Sequence, residues 1–151
     1  MLSVEPLSDL DAVSAICADP YVARAGHDHR PVAAIDHPNA HYLGAYVEGS
    51  LVGAFLVIES GWIELDLHAL LTRKALAWCR ELGRLCIAWC FGHPMVQRVT
   101  AQVIEGLEAA RNYCRRLGFV DEGFRRDAAM VGGELRGVYV LGLTRRQWGE
   151  A

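Results

Sequence analysis

The 151-residue sequence contains no apolar run near the roughly 18 residues a membrane span needs; residues 85–91, the longest candidate, fall far short. Basic charge is not in excess either. Fifteen Lys and Arg stand against 18 Asp and Glu, a net charge of −3 with a pI near 6.0, so neither nucleic acid nor an anionic membrane surface is expected as a partner. The first residues, MLSVEPLSDLD, lack a basic stretch followed by an apolar one, so no signal peptide is expected. The five cysteines follow no regular framework, which points to reduced thiols and a cytoplasmic setting. No repeat, low-complexity tract or linker interrupts the chain, so one domain over residues 1–151 is expected. With 52% hydrophobic and 22% charged residues and a mean hydropathy of +0.15, the composition is that of a globular domain with a substantial core.

Periodicity supplies the elements. Residues 2–5 read as a strand, and Ser8 with Asp11 three positions on forms a variant capping box for a helix over residues 9–17. Residues 19–39 hold three prolines and three histidines and read as a short helix followed by an irregular loop. Residues 42–47 and 51–58 are apolar on both faces, as central strands are, and Glu48-Gly49-Ser50 between them signals a three-residue hairpin. In the next strand, residues 62–69, Ile63, Leu65, Leu67 and Ala69 alternate with Trp62, Glu64, Asp66 and His68. The first set is core and the second is polar enough to line a cleft. Residues 72–91 switch to helical spacing, with Ala75, Leu76, Cys79, Leu82, Cys86, Ile87 and Cys90 on one stripe, and Gly92 and Pro94 as stop signals. Strand 97–104, helix 107–117 and two strands at 119–130 and 137–143, joined through Gly132-Gly133, complete the order. An α/β fold results, with helices on both faces of the sheet.

Within this order, residues 109–128, AARNYCRRLGFVDEGFRRDA, resemble the closing segment of the GNAT superfamily of acyl-CoA-dependent N-acyltransferases. The matching features are Leu117-Gly118-Phe119 at a helix end and Glu122-Gly123 with Arg126 at the start of the next strand. The HYLGAYVEGSLVGAFLV hairpin is similar to the second and third strands of that fold, and residues 62–69 to the fourth. Asp66-x-His68 followed by Leu70-Leu71, with Trp-Cys-Phe near the end of the long helix, looks most like the divergent GNAT-like proteins of phages and prophages. The resemblance implies a single domain with a mixed, mostly antiparallel six- to seven-stranded sheet. Strands 62–69 and 97–104 would be parallel, splayed neighbours, with the long helix as their crossover. It also implies acetyl-CoA as co-substrate and an amine as acceptor.

Two departures from the family stand out. Its pyrophosphate loop carries Gln/Arg-x-x-Gly-x-Gly/Ala, and here there is no glycine between Gly61 and Gly83; the loop reads Leu70-Leu71-Thr72-Arg73-Lys74-Ala75. Thr72 would cap the helix and Arg73 and Lys74 would meet phosphates as charged donors, or the two cations are solvated first-turn residues. Counting back from Phe119, Leu107 stands where the family often has Asn, and Cys114 where it often has the Tyr that protonates the leaving thiolate. Tyr113 is adjacent to that position but turned about 100° around the helix.

An amine must lose a proton before it attacks a thioester, and Asp66 and His68, with Glu64 behind them, are the candidate bases. His68 has the intrinsic pKa nearest neutrality, about 6.5, while Asp66 would need raising by burial. The bland reading is that all three bond to loops or solvent. His27-Asp28-His29 with Asp36-His37 and His41 contains a feasible chelate but no second motif of firm spacing, and no metal is expected. Cys79, Cys86 and Cys90 read as small core residues. Trp78, Leu85 and Trp89 form a further apolar stripe, either packed within the fold or an interface for a second copy or another protein. Arg111, Arg115 and Arg116 are either solvated or contacts for a CoA phosphate. The sequence thus leaves two functions open: an acyl-CoA-dependent N-acyltransferase, or a non-catalytic binding or assembly module on the same fold, of the kind associated with phages.

Overall fold

The computed structural model describes residues 1–24 and 34–150. Among these, seven strands make one sheet: β1 (Leu2–Pro6), β2 (Ala40–Val47), β3 (Ser50–Glu59), β4 (Glu64–Leu71), β5 (Arg98–Ile104), β6 (Val120–Val131) and β7 (Glu134–Thr144), in the order β1-β2-β3-β4-β5-β7-β6. Neighbours are antiparallel except β4 and β5, which run parallel as the sequence implied. Antiparallel neighbours need only a turn, whereas a parallel pair needs a crossover. That crossover is a 3₁₀ helix, Arg73–Trp78, continuing into α3 (Cys79–Phe91).

The strands alternate between two cores. On one face Leu43, Phe55, Val57, Leu67, Val99 and Leu141 pack under Leu82, Cys86 and Ile87 of α3. Ala110, Tyr113 and Cys114 of α4 (Glu108–Arg116) cover the same face. On the other face Tyr42, Ala54 and Leu56 receive Val13, Ile16 and Cys17 of α1 (Leu10–Ala18) and Val22 of α2 (Pro20–Ala23). Helices therefore cover both faces, and none of the described helices is long and apolar enough to cross a membrane.

Several local expectations are corrected. Asp9, not Ser8, caps α1, its carboxylate accepting from the amides of Asp11 and Ala12 at 3.0 and 3.2 Å. The β2–β3 hairpin turns on two residues, Glu48 and Gly49, because Val47 already pairs with Ser50. Both have positive φ, 48° and 80°, the turn whose twist matches the strands. The helix expected over residues 72–91 is divided: Thr72 is pinned to the Val52 carbonyl, Ala75 is driven fully into the core, and Trp78 (φ −122°, ψ 13°) marks the bend. The division also breaks up the Trp stripe. Trp78 and Leu85 are each 40% exposed, but Trp89 turns inward and meets the His93 ring edge-on at 4.6 Å. A last helix, α5 (Arg145–Glu150), carried no sequence expectation; its Arg145 guanidinium donates to the carbonyls of Phe91, His93 and Val96, closing the end of α3.

Where α3 and α4 touch, Gly83 leaves room for the Tyr113 hydroxyl, which donates to the Cys79 carbonyl at 2.6 Å. A β-carbon on Gly83 would lie 2.4 Å from that hydroxyl oxygen and 2.8 Å from Leu117. Gly83→Ala is therefore expected to lose about 1–3 kcal/mol by overpacking, more than the helix propensity of alanine returns. In a chemical-denaturation cycle, Tyr113→Phe combined with it should cost less than the sum of the two single changes.

Candidate active site

The parallel pairing of β4 and β5 lasts only from Glu64–Arg98 to Asp66–Thr100, after which the strands part. The end where they touch is clamped by charge. Arg98 of β5 lies 3.5 Å from Glu64 of β4, and on its other side it pairs with Glu122 of β6. The second contact passes over β7 at Gly142, where a side chain would collide with both partners. Thr100 donates its hydroxyl to Glu64, and Ser60 donates to Asp66 at 3.3 Å. Burial, and after it the charge of Glu64, pushes the Asp66 carboxyl above its usual range, against the pull of the Ser60 hydrogen bond and the charges of His68 and Arg98.

Beyond the clamp a cavity of about 570 Å³ opens. Leu67 to Leu70 of β4 and Ala101 to Ile104 of β5 both line it, as do Tyr42, Leu56 and Val22 from one face of the sheet and Leu107, Ala110 and Cys114 from the other. It therefore passes through the sheet in the gap between the strands. The strand residues that face each other across it have no ladder partners on that side. Backbone donors and acceptors on facing edges of this kind are what an added extended segment pairs with.

The expected base residues separate here. His68 lines the cavity, whereas Asp66 and Glu64 sit in the clamp beside it. Gln102 and Arg125 also line the cavity. Neither stands out in the sequence as a site residue, although Gln102 holds the polar place in the β5 alternation next after Thr100. Two further residues without a motif of their own, Tyr21 and Arg24, lie near the end of β4. The guanidiniums of Arg24 and Arg73 sit 4.0 and 5.0 Å from the Tyr21 ring centre. Of the metal-like residues, His27, Asp28 and His29 lie outside the described residues; His37 accepts from the Asn39 amide and His41 pairs with Glu59 at 3.2 Å.

No model of a known protein family matches the sequence. Known structures do match. Spermidine N-acetyltransferase from Vibrio cholerae, solved with CoA and spermine, superposes with a TM-score of 0.84 over 97% of both chains at 14% identity. A protein described provisionally as a phosphinothricin N-acetyltransferase gives 0.76 over 95% of this chain and 98% of its own, at 16% identity. Another, provisionally assigned as an acetyltransferase, gives 0.80 over 99% and 86%, at 21% identity. The chain has the GNAT fold.

The Tyr113 hydroxyl is committed to Cys79, and burial raises its pKa far above the usual tyrosine value, so it is no proton donor. Cys114 faces the cavity, but burial lifts its thiol to about 11. Protonating an ordinary thiolate from such a thiol runs uphill by about 3 kcal/mol. Of the three basic residues on α4, Arg111 and Arg115 bind Asp121 at 3.1 and 2.8 Å, and Arg111 also lies 3.7 Å from the Tyr139 ring centre, so neither is poised for a phosphate. In the loop after β4, Thr72 does not cap the following helix; its hydroxyl donates to the Val52 carbonyl at 2.6 Å. Leu70 lines the cavity, Leu71 and Ala75 are buried, and Arg73 and Lys74 are exposed.

Because the Asp66 pKa is raised on folding, its ionisation opposes the fold. The cost appears as pH rises from the unfolded value of about 3.9 through the folded one, and is fully present above it. Asp66→Asn should accordingly raise the melting temperature at pH 7, and the gain should shrink as the pH is lowered toward 4.

Proposed function

We propose that this chain is an N-acyltransferase that carries an acetyl group from acetyl-CoA to an amine. The observation that carries the reading is the cavity through the sheet where β4 and β5 part, with His68 on its wall. The open strand edges fit the amide-bearing arm of CoA, and the apolar lining fits a thioester that must be kept from water. Bound there, acetyl-CoA would supply an activated acyl carbonyl. His68 takes the proton from the incoming amine, with Asp66 beside it favouring the positive charge that results. Neither Tyr113 nor Cys114 is suited to protonate the leaving thiolate, so the proton His68 has taken from the amine is the one that ends on the CoA sulfur as the carbon–sulfur bond breaks.

The phosphates would be held by charge rather than by a glycine loop. Arg24 and Arg73 share the Tyr21 ring at the end of β4, and Lys74 is next in the chain. Two guanidiniums around one ring repel each other unless an anion joins them. Leu70 to Ala75 thus remain the cofactor loop of this proposal, with Arg73 and Lys74 as its donors. The rival reading, a non-catalytic module, draws on the committed Thr72 hydroxyl and on Trp78 and Leu85, which stay exposed and would receive a second copy or another protein.

A thermal scan separates the two. Acetyl-CoA at 100 times its dissociation constant should add about 2.7 kcal/mol of stability, and Arg73→Ala with Lys74→Ala should remove much of that gain, as should high salt. Absence of any shift at millimolar acetyl-CoA supports the module. With binding in place, His68→Ala should lower kcat by roughly 10²- to 10⁴-fold and leave acetyl-CoA affinity nearly unchanged.

A further inference from the structure

The cavity wall carries a second polar group whose chemistry bears on the acceptor. On the sheet face that α1 and α2 cover, His68 of β4, Gln102 of β5 and Arg125 of β6 all border the cavity. Two residues past the last β4–β5 pair, Asp66 with Thr100, the alternation brings His68 and Gln102 to the same level. Arg125 stands opposite Val138, the partner of Ile104, and its side chain crosses β7 to reach Gln102. Directly after Arg125 the β6–β7 ladder breaks, and pairing resumes only at Ala129, opposite Arg136. Bulges of this sort re-aim side chains beside binding sites.

What this row offers is one-sided. A guanidinium can only donate, so in the 3.4 Å contact from Arg125 Nη1 it is the Gln102 oxygen that accepts. The Gln102 amide therefore turns its NH₂ group away from Arg125, and both residues present donors. Arg125 is exposed and forms no ion pair with any described carboxylate. Among the described residues no Asp or Glu lines the cavity; Glu64 and Asp66 are held in the clamp. Such a wall disfavours a polycation and favours an anionic acceptor group.

Resting on the transferase reading above, we infer that the acceptor is a small amine that carries an acid group, a carboxylate or a phosphorus acid. Its amine lies toward His68 and its acid on Arg125 and Gln102. Arg125 already reaches Gln102 across β7, so the amine site at His68 and the acid site are separated by the open gap between β4 and β5, which no ladder hydrogen bond closes at this level. Arg125 is then a specificity residue for the acceptor.

The test is steady-state CoA release by the full chain with matched acceptors. These are an aminoalkyl carboxylate, the aminoalkyl phosphonate of the same length, the neutral amide of the carboxylate, and spermidine. Either acid should be preferred over the amide in kcat/KM by roughly 10- to 100-fold, the worth of a hydrogen bond to a charged group. Arg125→Gln should collapse that preference to near one through KM, with kcat for the acids little changed, and Arg125→Lys should restore part of it. Which acid is preferred assigns the group. Preference for spermidine or the amide, or an Arg125→Gln effect equal on all four, overturns the inference while leaving the transferase reading intact. CoA release with no amine of any class, from protein that binds acetyl-CoA, removes the transferase reading and this inference with it.

Discussion

The structure depends on where β4 and β5 stop pairing. After Asp66 and Thr100 both strands keep their outer partners, β3 and β7, but no longer bond to each other. Backbone groups left unpaired away from water are costly, and proteins leave few of them. The gap in the middle of the seven-stranded sheet is where the guest proposed above would supply the missing bonds. The sheet stays whole because one continuous core under α3 and α4 joins Phe55 and Val57 on one side of the gap to Val99 and Leu141 on the other.

The two ends of the gap are secured by different physics. The closed end is polar: Arg98 joins Glu64 and Glu122 across β4, β5 and β6, and Thr100 and Ser60 complete the bonding of the neighbouring carboxylates. The open end is lined mostly by apolar side chains such as Leu107, Ala110 and Leu117, with His68, Gln102 and Arg125 as its polar groups. Charge clamps the closed end, and the open end is the one proposed above to take the guest. Asp66 lies on the boundary, buried enough to hold its proton more tightly and near enough to His68 to feel its charge. The unfavourable ionisation of Asp66 is a local cost of the kind that functional sites carry.

Much of this was legible in the chain. The alternation of Glu64, Asp66 and His68 against Leu65 and Leu67 marked a strand with one polar face, and Leu117-Gly118-Phe119 pointed to the fold, both of which the structure bears out. Contacts between distant segments were not legible. Periodicity places Glu64, Asp66 and His68 on one face but cannot say that the first two are bound by Thr100 and Ser60 while the third reaches the cavity. The bend at Trp78 depends on Thr72 being tied to Val52, twenty residues earlier, so the apolar pattern alone suggested one unbroken helix. Arg125 and Gln102 meet across β7. Nothing in the spacing of their own strands announces that meeting.

If the gap between β4 and β5 is the binding groove proposed here, amide resonances of the full chain will report it during titration with acetyl-CoA. Saturable shifts are expected in residues 67–70 and 101–104, whose edges face each other, with much smaller changes at residues 98–100 in the clamp. Saturable shifts confined to other parts of the sheet, or none at millimolar acetyl-CoA, would contradict it.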